Sequence, residues 1–166
     1  MNISAIAAVG QNWELGKCND LIWRSKADLA HFKQYTMGKV LIVGRKTYES
    51  MPALAGRTVV CVSRSHYPSS RLKQKGDFSV KQSRFGNDLL GEISGLAGGK
   101  DIVLAGGGAM YELFATQVTE LVLTRFPYTD PAADTYFPEH CYRAILGRTE
   151  NVQALDDNIV TEIYRL

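Results

Sequence analysis

Asp28 is the acidic residue with the most chemical promise in the sequence, and Phe32 stands four residues after it. On a helix, residues four apart share a face. A carboxylate accepts two parallel N–H bonds, as the edge of an amidine-like ring would donate them. An aromatic ring one turn away stacks on the same flat heterocycle. The competing reading is a helix cap, because Ser25 with Asp28 three residues later is a capping-box pattern. Composition alone favours the cap. The histidines, His31, His66 and His140, have no evident cysteine or carboxylate partners, and no serine sits in a GxSxG elbow.

Two other places have the form apolar strand, glycine, helix: Val43-Gly44-Arg45-Lys46-Thr47 and Ala105-Gly106-Gly107-Gly108-Ala109-Met110. Glycine lets the backbone approach a ligand closely, and the N-terminus of the following helix suits phosphate. A pair of such junctions on one sheet suits a dinucleotide diphosphate; tight turns with no ligand are the plain alternative. Tyr111 stands where the third glycine of GxGxxG would fall, which disfavours a standard Rossmann domain. Arg45, Lys46 and Arg64 follow two of the strands and could hold a further phosphate, as an arginine does for the 2′-phosphate of NADP. Ordinary surface charge is the competing reading of all three.

These groups need a frame. Apolar runs predict strands over 3–9, 40–43, 58–62, 102–105 and 120–125, with a short edge strand over 78–80. Helices are predicted over 25–37, with Leu29, Phe32 and Tyr35 as an apolar stripe, and over 45–51, 87–96 and 109–116. Residues 10–24 read as a long irregular stretch, 63–76 as a polar surface loop, and 141–166 as a hairpin. Strands alternating with helices predict an α/β domain whose sheet is largely parallel and closed by an antiparallel end piece. Ligands bind outside the carboxyl ends of such strands, so the site should fall within 10–28, 44–51, 63–65, 105–111 and 125–137.

The 166 residues suit one domain. A net charge of +2 gives no electrostatic case for nucleic acid or an anionic membrane as partner. Cys18, Cys61 and Cys141 are far apart, with no CxxC or Cys/His spacing, so neither a disulfide framework nor a metal site is expected. No run approaches the roughly 20 apolar residues of a membrane span. The first residues lack a basic n-region and read as a buried strand. A reduced, cytoplasmic setting is the expectation.

In order along the chain stand Ile6-Ala7-Ala8, Leu15-Gly16, Trp23, Ala27-Asp28-Leu29 and Phe32-Lys33. Val43-Gly44-Arg45-Lys46-Thr47-Tyr48-Glu49-Ser50 and Gly56-Arg57 follow. Ala105-Gly106-Gly107-Gly108-Ala109-Met110-Tyr111 and Asp134-Thr135-Tyr136-Phe137-Pro138 complete the series. In order and spacing these motifs resemble the dihydrofolate reductase family across essentially the whole chain. The resemblance implies an eight-stranded, mostly parallel central sheet flanked by helices, with an antiparallel C-terminal hairpin. It implies a single reductase domain over 1–166, with residues 39–98 or so as an adenosine-binding subdomain. The implied reaction is reduction of 7,8-dihydrofolate to tetrahydrofolate by NADPH, with hydride going to C6 and a proton to N5.

Residue by residue, the resemblance makes Asp28 the group that grips the pterin and supplies its proton. It makes Thr135 the residue that assists Asp28, and it adds Leu21 and Trp23 to the catalytic set. Ile6, Ala8, Leu29, Phe32, Met51, Ala105 and Tyr111 would line the substrate pocket, and Arg57 would bind the glutamate α-carboxylate. Ala8, Leu15 and Gly16 would meet the nicotinamide. Gly44, Arg45, Lys46, Thr47, Ser63, Arg64, Ser65, Gly106, Gly107, Gly108, Ala109 and Met110 would hold the rest of the cofactor. Gly106-Gly107 would be a cis peptide. Diaminopyrimidine and pteridine antifolates would inhibit, and the chain would act as a monomer. Three residues depart from the family: Ile22 replaces a usual proline, Ala105 is smaller than the branched residue common there, and Arg64 stands where a hydroxyl or polar group is frequent. A reductase acting on a ribosylated pyrimidine, as in riboflavin biosynthesis, and a non-catalytic relative kept for binding are the competing readings. The Asp28/Phe32 pair and Arg57 favour the folate substrate over the first. Retention of Asp28, Thr135 and the glycine turn argues against the second.

Overall fold

Runs rich in valine, isoleucine and leucine build the centre of the molecule, as expected of strands covered on both faces. The computed structural model describes residues 2–83, 88–148, 150–156 and 158–166. The chain begins with β1 (Ile3–Val9), β2 (Glu14–Lys17), β3 (Asp20–Leu21), α1 (Lys26–Thr36), β4 (Val40–Gly44) and α2 (Arg45–Ser50). It continues through β5 (Thr58–Ser63), β6 (Phe78–Lys81), α3 (Leu89–Ala97), β7 (Ile102–Leu104) and α4 (Gly108–Leu113). Last come β8 (Glu120–Arg125), β9 (Thr135–Tyr136), α5 (Arg143–Leu146), β10 (Glu150–Ala154) and β11 (Val160–Arg165).

Eight strands form one sheet in the order β10-β11-β8-β1-β7-β4-β5-β6. The pairs from β8 through β6 are all parallel, and β10 and β11 close the other edge antiparallel. This is the expected class, with β6 at the edge. Parallel pairing brings the carboxyl ends of β1, β4, β5, β7 and β8 to one side.

Alternate residues feed two apolar layers. On the face that α1 covers, Ile6, Leu41, Val43, Val103 and Val122 pack with Phe32, Tyr35 and Met51. On the other face Ala5, Val9, Ile42, Leu104 and Leu123 pack with Ile93 of α3 and with Met110 and Tyr111 of α4. Helix α1 starts where the sequence says it should: the Ser25 hydroxyl accepts the Asp28 N–H at 2.9 Å. It stops where the Met37 N–H closes the last turn on the Lys33 carbonyl and Gly38 turns away at φ +75°. Phe32 and Tyr35 of its expected stripe face the sheet, but Leu29 is 60% exposed.

Four expectations are corrected. Residues 10–24 are not structureless: β2 and β3 pair with each other and with β9 in a separate antiparallel sheet of the order β3-β2-β9. The segment 141–166 is a hairpin only from β10 onward. It opens instead with a 3-10 turn, Glu139–Tyr142, and α5, whose Tyr142 and Ile145 plug the core. Helix α4 ends at Leu113, and a 3-10 turn, Ala115–Gln117, follows. In the expected 63–76 loop, Ser69–Arg71 form a 3-10 turn. Asn87, the predicted start of the third helix, lies outside the described residues; Asp88 caps that helix by accepting the Gly91 N–H. Among the described residues no helix is long and apolar enough to cross a membrane.

Candidate active site

The Ser25 cap uses the backbone of Asp28 and leaves its carboxylate for other work. The groups that act on that carboxylate are the Thr124 hydroxyl and His31. Thr124 is buried near the end of β8, opposite Ala8 of β1 and Thr161 of β11. Burial pushes the proton affinity of Asp28 above that of an ordinary aspartate, while Thr124 and His31 pull it partly back. A carboxyl group biased this way is a better proton donor near neutral pH than a solvated one.

Thr135, expected to assist Asp28 through the pterin amino group and a water, makes no direct bond to it among the described residues. It lies on β9 with its hydroxyl donating to Asp134 Oδ1 at 3.0 Å. A Cβ added at Gly108 would stand 3.2 Å from the Thr135 methyl, so Thr135 borders the start of α4. The threonine whose hydroxyl acts on the Asp28 carboxyl is Thr124. One sequence signal could have found it: a lone hydroxyl in the apolar run Glu120-Leu121-Val122-Leu123-Thr124, since a buried polar group needs a partner.

Four expected pocket residues meet: Ile6, Phe32, Met51 and Ala105 share one apolar cluster. Ala8 packs with Trp23, Phe126 and Ile159. Leu21 and Leu29, at 59% and 60% exposure, present apolar surface to solvent. Tyr111 reaches across from the other layer and donates to the Ile6 carbonyl at 2.6 Å. Burial raises its pKa far enough that it stays a donor. Arg57 is braced from α1 and its own loop, donating from Nη1 to Thr36 Oγ1 at 3.3 Å and from Nε to the Ala55 carbonyl at 3.2 Å. Those bonds leave guanidinium donors for an anion.

The two glycine junctions are joined: the Gly44 N–H donates to the Gly106 carbonyl at 2.9 Å. Gly106-Gly107 is cis, as expected, and Gly106 has φ +125°, a conformation suited to glycine. A Cβ at Gly107 would lie 3.2 Å from Thr47 Oγ1, so the absence of side chains keeps this hollow open. Basic residues flank it on two sides. Arg45 and Lys46 line a groove of about 410 Å³ with Asn19, Glu49 and Ser50. Arg64 lines a second, of about 280 Å³, with Gln82, Ala109 and Met110. Arg45 is bound to Glu49 at 3.1 Å, and Glu49 also takes Arg71 at 2.9 Å. Arg64 is exposed and makes no ion pair among the described residues. Ser63 ends β5, and its hydroxyl accepts the Ser65 N–H at 3.3 Å.

The 10–24 segment is tied to the loop between β8 and β9 and to the residue that follows β9. Asp134 receives the Cys18 N–H at 2.9 Å, Gln11 donates to the Tyr128 carbonyl at 2.9 Å, and Phe137 donates to the Trp13 carbonyl at 2.8 Å. Leu15 is buried, and Gly16 is required: a Cβ there would stand 2.9 Å from the Asp20 carbonyl oxygen. The Ile22 N–H donates to the Leu15 carbonyl at 3.4 Å, a bond that a proline at this position cannot make.

A family model described as dihydrofolate reductase matches residues 2–160. Dihydrofolate reductase type 15 of Escherichia coli is 32% identical over 139 residues, 84% of this chain and 83% of that protein. The dihydrofolate reductase of Haemophilus influenzae is 34% identical over 140 residues, 84% of this chain and 80% of that one. A solved structure, dihydrofolate reductase from Enterococcus faecalis complexed with NADP(H) and RAB-propyl, superposes with a TM-score of 0.78 at 21% identity. It covers 99% of this chain and 95% of its own.

Proposed function

The chain belongs to the dihydrofolate reductase family, and from that premise we infer that its cleft reduces 7,8-dihydrofolate to tetrahydrofolate with NADPH. The observation that carries the assignment of the acid is Asp28: a half-buried carboxyl group of raised proton affinity, not spent on its helix cap, at the carboxyl edge of the sheet. Asp28 accepts paired N–H bonds from the pterin edge and holds the proton destined for N5. Thr124 steadies that carboxylate. Ile6, Ala8, Leu29, Phe32, Met51, Ala105 and Tyr111 enclose the pterin and benzoyl rings, and Arg57 pairs with the glutamate α-carboxylate. Leu21 and Trp23 cover the reacting ring.

The residues present fit the cofactor. The hollow at Gly44, Gly106 and Gly107 would be filled by a side chain, and the NADP(H) of the Enterococcus structure supports the same ligand here. Bound NADPH supplies the hydride for C6. Ala8, Leu15 and Gly16 orient its nicotinamide, Thr47 and the Gly106–Met110 turn hold its diphosphate, and Arg45, Lys46, Ser63, Arg64 and Ser65 hold the adenosine side. Thr135 belongs with that turn. Residues 39–98 or so form the adenosine-binding subdomain of a chain that acts as a cytoplasmic monomer with small-molecule partners alone. Antifolates that offer a diaminopyrimidine edge to Asp28 compete with substrate. The test is a steady-state assay with dihydrofolate and NADPH. Turnover of dihydrofolate, with none of a ribosylated aminopyrimidine, supports the reading. No oxidation of NADPH in the presence of dihydrofolate overturns it.

A further inference from the structure

Glu14 is only 1% exposed, in a strand whose neighbours need no charge. A carboxylate is buried at such cost that it must be hydrogen-bonded, and each oxygen of Glu14 is. Oε1 accepts the Asn12 N–H at 2.8 Å, within its own turn. Oε2 accepts the Asp130 N–H at 2.6 Å, from the loop between β8 and β9. Burial alone would raise the Glu14 pKa, but these N–H groups outweigh it and keep the side chain ionised. The carbonyl of the same residue receives the Trp23 indole N–H at 2.8 Å and the Gly10 N–H at 3.1 Å. The packing around this knot has no slack. A Cβ at Gly10 would lie 2.8 Å from the Tyr128 carbonyl oxygen and closer still to the Trp23 ring and to Glu14 Oε1.

One residue therefore joins three things: the turn after β1, the indole of Trp23 through its carbonyl, and, through its carboxylate, the loop that follows β8, adding a buried ionic tie to the backbone bonds of Gln11 and Trp13. The exposed Asp134–Cys18 contact ties the tip of the segment, and the Gln11–Tyr128 and Phe137–Trp13 bonds at its base are between neutral backbone groups. Glu14 ties its base, beside Ala8 and Trp23, out of reach of solvent screening. We propose that Glu14 is a positioning residue for hydride transfer: its buried carboxylate clamps the 10–24 segment onto the β8–β9 loop, so that Trp23 and the backbone near Ala8 hold the nicotinamide end of the cleft in reacting order.

This rests on the reading of the cleft as a dihydrofolate reductase site, so the parent protein is measured first. An inactive parent defeats that reading, not the clamp. The clamp itself is read in both cases from the Trp23 indole N–H signal in NMR spectra of the free protein. Glu14→Gln keeps the shape but cannot accept both N–H bonds, because one arm of the amide is itself a donor. Should it not fold, Asp130→Pro removes the cross-loop donor and leaves the carboxylate intact. The expected result is a single-turnover hydride-transfer rate at least tenfold lower, since small misplacement of reacting groups is costly. NADPH should dissociate several-fold faster, the KM for dihydrofolate should stay within about twofold, and the Trp23 indole N–H should shift and exchange faster. A variant with lower thermal stability but parental hydride-transfer rate, cofactor release and indole signal would show that Glu14 only supports the fold, and overturns the proposal.

Discussion

Burial sets the direction in which Asp28 titrates, and Thr124 tempers it. Its hydroxyl favours the ionised carboxylate, against the larger effect of burial. Removing it in Thr124→Val should raise the Asp28 pKa further. The limb of the hydride-transfer profile that falls with rising pH should then move to higher pH. In Thr135→Val that limb should stay in place, because Thr135 bonds Asp134. A Thr124→Val profile that overlays the parent's would separate Thr124 from the acid. The same group affects stability. A carboxyl whose pKa is raised by folding favours the folded state below its unfolded pKa, and that contribution is lost as pH rises through the folded value. Asp28→Asn does not titrate, so it should gain stability over the parent as pH rises to neutrality and lose that gain at acid pH. Melting temperatures at both pH values check this; a gain that did not depend on pH would contradict it. At this scale spacing placed Asp28 and Phe32 on one helix, but composition alone favoured a cap for Asp28, and Arg57 came from the family resemblance alone. The nearness of Thr124 to Asp28 was not legible, because neighbourhood across strands depends on register, which no local pattern carries.

The small sheet of β2, β3 and β9 escaped notice because its turn is chemically unusual. Lys17 pairs with Asp20 across Cys18 and Asn19, which have φ +52° and +62°. Two left-handed residues in a two-residue hairpin make a type I′ turn, normally announced by Asn-Gly or Asp-Gly. Cys18 hides it. Left-handed φ is unfavourable for cysteine and easier for asparagine. Cys18→Asn should therefore stabilise the chain by about 0.5–1 kcal/mol and keep the backbone bond to Asp134. Urea unfolding measures it, and a lower midpoint would contradict the turn assignment. The long parallel strands were legible, because burial on both faces writes itself as a continuous apolar run. The start of the C-terminal segment was not: Cys141-Tyr142 has the aromatic, β-like composition of a strand, but Tyr142 is used as a core plug whose hydroxyl donates to the Tyr111 carbonyl at 2.6 Å.

Across the whole molecule, parallel pairing gathers the Asp28 carboxyl, the apolar cluster around Phe32 and the two glycine junctions on one side, with Arg45, Lys46 and Arg64 lining grooves nearby. The two arginines there are unequal. Arg45 shares Glu49 with Arg71, whereas Arg64 has no ion pair among the described residues. The preference for NADPH over NADH should fall more in Arg64→Ala than in Arg45→Ala, and most in the double variant. A charged hydrogen bond contributes about 1.5–3 kcal/mol, and exposure pulls the effect toward the low end, roughly tenfold in catalytic efficiency. An unchanged ratio of efficiencies for the two cofactors would make these arginines plain surface charge. The central claim is that Asp28 supplies the proton for hydride transfer from NADPH to dihydrofolate. It is tested most directly by single-turnover hydride transfer in the parent and in Asp28→Asn at neutral pH, with both ligands saturating. A rate lower by about 10²–10⁴-fold in the variant is the result expected of a positioned acid; a rate within a few-fold of the parent's would contradict the claim and leave Asp28 as no more than the second residue of a helix cap.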